Sequence, residues 1–124
     1  MKKFLVVDDS KVVRKFIIGC LDKLGFKDVK EAEHGLAALD IVKAEMPEVI
    51  LLDWNMPVMD GLQFIKALRN EPNGSNPIVI FCTTENEISK ITEALTNTAN
   101  EYIMKPFDGE VLRSKFIQLG IMSE

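Results

Sequence analysis

A basic excess is missing from this sequence: 15 Lys and Arg stand against 19 Asp and Glu, a formal net charge of -4. Without surplus cations to neutralise phosphates, a nucleic-acid partner is not expected. Long apolar runs are missing too. Val49 to Leu52 and Ile78 to Phe81 are far shorter than the roughly 20 residues of a membrane-crossing helix. The Met-Lys-Lys start leads into a short apolar stretch that ends in acids, not in a cleavage site. A soluble, cytoplasmic protein without a membrane partner is the expectation. Cysteine is scarce. Cys20 and Cys82 sit among apolar neighbours without ligand-type spacing, which favours reduced core thiols over a disulfide or a metal pair. The only histidine, His34, precedes Gly35 and reads as a solvated loop residue. A chain of 124 residues, 47% of them hydrophobic, suits one compact core. One domain over residues 1–124, with no output domain, is therefore expected.

Short β-rich runs alternate with longer amphipathic ones. Phe4 to Val7 is a continuous apolar run, as a strand covered on both faces requires. Val13, Phe16, Ile17, Cys20, Leu21 and Leu24 then recur at spacings of three and four, closed by Gly25. Asp28 to Ala32 is a less apolar strand, nearer an edge; Gly35 to about Glu45 is a helix stopped before Pro47. Val49 to Leu52 is the most apolar strand and the natural centre. Asp60 and Gln63 have capping-box spacing, as do Thr84 and Glu87 before Ile88, Ile91 and Leu95. Ile78 to Cys82, Glu101 to Met104 and a last helix from Gly109 to about Leu119 complete five strands and five helices. Such alternation predicts a parallel sheet with helices on both faces.

Ligands of such sheets bind beyond the carboxyl ends of the strands. There stand Asp8 and Asp9 after the first strand, Asp53 after the third, Thr83 and Thr84 after the fourth and Lys105 with Pro106 after the fifth. Each has a plain alternative: Asp8-Asp9 as a helix N-cap, Asp53 as a turn residue, Thr84 as a cap, Lys105 as a solvated loop lysine. Their joint placement on one edge is the informative fact. Three carboxylates in a small site raise one another's pKa and call for a cation. Oxygen-only donors favour Mg²⁺, with Lys105 as a second positive charge. A carboxylate nucleophile acting on a phosphoryl group uses all of these groups.

Val-Val-Asp-Asp-Ser at 6–10, Asp-Trp-Asn-Met-Pro-Val-Met-Asp-Gly at 53–61 and Tyr-Ile-Met-Lys-Pro-Phe at 102–107 resemble the receiver domain of two-component response regulators, especially its CheY-like single-domain members. The resemblance covers essentially the whole chain. It implies a three-layer αβα, flavodoxin-like doubly wound fold with strand order 2-1-3-4-5. It further implies Asp53 as phosphoacceptor from a histidine kinase or histidine phosphotransfer protein, with Lys105 pairing the phosphoryl group. Asp8, Asp9, Asp53 and the backbone carbonyl of Asn55 would hold Mg²⁺, or Mn²⁺ in its place. Thr83 and Tyr102 would be the switch, Asn55 and Glu85 would tune dephosphorylation, and the Lys105–Pro106 bond would be cis. The face of the fourth helix, fifth strand and fifth helix, with Ile91, Leu95, Tyr102 and Lys115, would meet a downstream target in chemotaxis or motility signalling. A monomer is expected.

Two departures stand out. Counted from Pro77, Cys82 falls where the switch hydroxyl is usual, whereas Glu85 restores Thr83; Thr84 then replaces a small residue beside the acceptor. Asn97-Thr98-Ala99 replaces a Gly-Ala turn. The competing reading within signalling is a phosphorelay intermediate or phosphate sink. A haloacid-dehalogenase-type phosphatase would need an acid at 55, where this chain has Asn55. A flavin protein would need a hydroxyl-rich phosphate loop where this chain has Asp8-Asp9.

Overall fold

In a computed structural model, residues 2–84 and 99–123 are described. The elements run β1 (Lys3–Val7), α1 (Lys11–Lys23), β2 (Asp28–Ala32), α2 (Gly35–Ala44), β3 (Val49–Asp53), α3 (Gly61–Arg69), β4 (Ile78–Thr83), β5 (Glu101–Met104) and α4 (Gly109–Gln118). The helix expected after Thr84, with Glu85, Glu87, Ile88, Ile91 and Leu95, lies outside the described residues, as does the turn at Asn97 and Thr98. The strands form one parallel sheet in the order β2-β1-β3-β4-β5. The apolar β3 is central and the polar β2 is an edge, as their compositions imply.

Alternation along the strands divides the core in two. Leu5, Val7, Ile50, Leu52, Val79 and Phe81 face Ala38 and Val42 of α2 and Phe64, Ile65 and Leu68 of α3. Phe4, Val6, Val49, Leu51, Ile80, Cys82 and Ile103 face Ile17 and Leu21 of α1 and Leu112 and Phe116 of α4. Continuous apolar strands are what two covered faces require. The two thiols are unpaired, Cys82 buried and Cys20 half-buried.

Local chemistry sets the helix ends. At the end of α1, Gly25 takes φ +94°, with Gly25 N–H bonded to Asp22 O and Phe26 N–H to Leu21 O, a Schellman stop that only glycine adopts without strain. Asp60 and Gln63 form the expected capping box. His34 differs from its sequence reading. It is half-buried and caps α2, its Nδ1 accepting from Ala37 N–H at 3.1 Å, because an imidazole nitrogen can satisfy an open amide of the first turn. Phe16 also differs: helical spacing put it on the core face, yet it is about half exposed. Its ring meets Phe107 edge-on at 6.1 Å, outside the buried row formed by Ile17 and Leu21.

Candidate functional site

Parallel strands deliver the acids to one sheet edge. Asp8 follows β1 and Asp53 ends β3, the two strands pairing side by side. Gly61 makes this corner possible. Its N–H donates to Trp54 O at 2.9 Å, and a Cβ there would stand 2.5 Å from Asp53 O and 2.7 Å from Phe81 Cε1. The start of α3 therefore rests directly on the backbone that carries Asp53. Trp54 is buried against Phe81, with ring centroids 4.9 Å apart.

Carboxylate oxygens of Asp8, Asp9 and Asp53 lie within 4.8 Å of one another, with Asp8 and Asp53 buried and Asp9 exposed. Lys105 Nζ reaches across to Asp8 Oδ2 and Asp53 Oδ1, each at 2.9 Å. The Lys105–Pro106 peptide is cis. Asp8 also accepts from Ser10 N–H at 2.9 Å through Oδ1. Neither acid caps α1: Ser10 does, accepting from Val13 N–H through Oγ. Both carboxylates are thereby left to the cluster.

The Asp53 pKa is raised from 3.8 to about 6: burial pushes it up most, the hydrogen bond and charge of Lys105 pull it down, and the charges of Asp8 and Asp9 add to the rise. For Lys105 burial acts downward, but the ion pairs with Asp53 and Asp8 outweigh it and the net shift is upward. One ammonium is thus shared by two carboxylates, with a third nearby. The cluster holds more negative charge than Lys105 balances, and its donors are all hard oxygens. That set fits Mg²⁺, an ion content with a few carboxylates and retained water.

Thr83 ends β4 and is fully buried. Cys82 stands opposite Asp53 and Thr83 beside Met104, while Lys105 N–H donates to Thr83 O. The Cys82 side chain packs into the α1/α4 layer. Thr84 is exposed and lines a groove of about 640 Å³ with Val12, Val13, Phe16, Lys105 and Phe107. Asn55 is exposed in the loop after β3, and Glu85 lies outside the described residues. Tyr102, half-buried against the α2/α3 layer, lines a second groove of about 420 Å³ with Met104, Phe107, Val111 and Lys115. Sequence reasoning passed over two features. Arg14 touches the Asp8 carbonyl from α1, a contact that no spacing rule announces. Val58, 73% exposed, has φ +69° in the loop beside Asp53, a conformation that a β-branched residue does not advertise.

Residues 4–117 match the response regulator receiver domain family. A chemotaxis protein CheY homolog from Campylobacter jejuni is 44% identical over 114 residues, covering 91% of this chain and 88% of the relative. Among solved structures, the chemotaxis response regulator CheY4 of Vibrio cholerae superposes with TM-score 0.88 at 33% identity, covering 96% of this chain and 98% of that one. The receiver domain of the sensor histidine kinase PA1611 from Pseudomonas aeruginosa was solved with a magnesium ion coordinated in its active-site cleft. It superposes with TM-score 0.84 at 27% identity, covering 94% of this chain and 95% of that one.

Proposed function

The chain belongs to the response regulator receiver domain family, and from that premise we propose that Asp53 is its phosphoacceptor in a chemotaxis-type two-component pathway. A carboxylate oxygen of Asp53 attacks the phosphorus of a phosphohistidine on a histidine kinase or histidine phosphotransfer protein. The new O–P bond forms an acyl phosphate as the P–N bond breaks, and its electron pair stays with the imidazole. The observation that carries this reading is the Asp53 carboxylate held at 2.9 Å from Lys105 beside Asp8 and Asp9. Lys105 keeps a positive charge where a phosphoryl oxygen arrives. Asp8, Asp9, Asp53 and the Asn55 carbonyl would hold Mg²⁺, with Mn²⁺ as a substitute, which would supply positive charge beside the phosphoryl oxygens.

Thr83 and Tyr102 transmit the change. Thr83 adjoins Lys105 through the backbone, and Tyr102 borders the groove formed by β5 and α4, so that groove is the surface offered to a downstream protein. Asn55 and Glu85 set the lifetime of the acyl phosphate. The chain acts as a cytoplasmic, monomeric receiver domain and turns over no separate substrate, offering its altered surface to a partner. The relay or phosphate-sink alternative is not favoured: the relatives are chemotaxis proteins. Incubation with acetyl phosphate tests the reading. One phosphoryl group per chain is expected with Mg²⁺ and none with EDTA; equal uptake in both would refute it.

A further inference from the structure

Asp8 is held on both sides of its Cα, through the N–H of the Val7–Asp8 peptide and through the C=O of the Asp8–Asp9 peptide. Asp8 N–H donates to Ala32 O of the edge strand at 3.1 Å, and Asp8 O accepts from Arg14 Nη1 at 2.7 Å. Arg14 is itself anchored: its Nε donates to Glu31 Oε1, also at 2.7 Å. Glu31 stands opposite Val6 in the β1–β2 register. The Arg14 side chain is only 12% exposed and its bond to Asp8 O is partly buried, whereas the Glu31 end of the pair, 47% exposed, faces solvent.

The bond from Arg14 holds the C=O of the planar Asp8–Asp9 peptide, and the orientation of that plane sets the direction in which the next side chain departs. Asp9 is that next residue. Its carboxylate is exposed and makes no hydrogen bond or ion pair among the described residues, whereas Asp8 is locked by Ser10 and Lys105. Of the three acids, Asp9 is the one whose aim depends on its backbone.

We propose that Arg14, held by Glu31, is a positioning residue for the Mg²⁺ site: it orients the Asp8–Asp9 peptide and so presents the Asp9 carboxylate to the ion. The proposal rests on the reading of the three acids as that site. Arg14 does not touch the ion or the phosphoryl group. The Arg14–Glu31 pair is neutral as a unit, so its contribution is geometric. The fork of a guanidinium makes two bonds in fixed directions, which a lysine ammonium cannot reproduce. Partners that orient metal ligands are commonly worth 10- to 100-fold in affinity.

Mg²⁺ titration followed by Trp54 fluorescence, the indole being next to Asp53 and unique in the chain, provides the test. The charge-neutral double variant Arg14→Met/Glu31→Gln should bind Mg²⁺ about tenfold more weakly. Arg14→Lys, which keeps the charge and loses the fork, should show a smaller loss in the same direction. In acetyl phosphate assays both should need more Mg²⁺ for half-saturation yet reach the unaltered rate at saturating ion. Val42→Ala, a destabilising core change in α2, should leave Mg²⁺ affinity unaltered. Equal affinity in the unaltered protein, Arg14→Lys and the double variant overturns the positioning role alone. Failure of the unaltered protein to bind Mg²⁺ overturns the site reading and this proposal together.

Discussion

Replacing Lys105 by Met removes the ammonium while keeping an unbranched side chain of similar reach. It leaves Asp8 and Asp53 facing each other without the cation that sits 2.9 Å from each. Removing one member of a buried ion pair costs about 3–5 kcal/mol. Lys105 is one-fifth exposed and Asp53 has an escape, since it takes up a proton near pH 6 even with Lys105 present. About 2–3 kcal/mol of stability should therefore be lost at pH 8 and about 1 kcal/mol at pH 5, where Asp53 is protonated and the repulsion is relieved. In the unaltered protein the raised Asp53 pKa acts in the same sense: between pH 3.8 and about 6 the folded state holds a proton that the unfolded chain has released, so this group's contribution falls as pH rises through that window. The Lys105 ammonium itself stays charged below 10.5, so with its pKa raised the alkaline loss of its contribution comes only above that value. Urea denaturation of both proteins at pH 5 and pH 8, with and without millimolar Mg²⁺, measures these differences. Mg²⁺ should stabilise the variant more than the unaltered protein, because the dication replaces the missing charge. A stability loss that changed with neither pH nor Mg²⁺ would mean that only packing was lost, and would refute the electrostatic account.

Val58→Gly should stabilise the protein by about 1 kcal/mol, since the side chain is 73% exposed and its positive φ costs a β-branched residue about that much; thermal unfolding should shift upward by about 3–5 °C. Gly61→Ala should cost about 2–3 kcal/mol by forcing Cβ against Asp53 O and Phe81, and should depress acetyl phosphate uptake by displacing the acceptor. Burial pushes the Cys82 thiol up to about 12 and raises Cys20 as well, so a thiol reagent at pH 8 should modify Cys82 only on unfolding, with Cys20 reacting slowly in the native state.

The strands were legible because parallel sheets covered on both faces demand continuous apolar runs, and Phe4 to Val7 and Val49 to Leu52 supply them. The acids were legible for the same reason: once those runs are parallel strands, Asp8, Asp9, Asp53 and Lys105 must share an edge. Helical periodicity was a weaker guide, because it marks an apolar face without telling how much of it meets the core. Phe16 lies on that face, yet its ring borders a groove. Contacts made by reach left no pattern at all. The His34 cap depends on a ring nitrogen meeting Ala37 N–H, and Arg14 acts on a carbonyl six residues back. The ambiguity of Cys82 against Thr83 was one of register. Counting from either end of a strand cannot say which residue a longer strand absorbs; in the structure Asp53 pairs with Cys82 and Thr83 with Met104.

That Asp53 itself takes the phosphoryl group is tested most directly by trapping the adduct. Borohydride reduces an acyl phosphate of aspartate to homoserine, which peptide mass spectrometry can place in the chain. After acetyl phosphate and Mg²⁺, homoserine is expected at position 53 of the unaltered protein and nowhere in Asp53→Asn. Homoserine at position 8 or 9 instead, or undiminished phosphorylation of Asp53→Asn, would contradict the account.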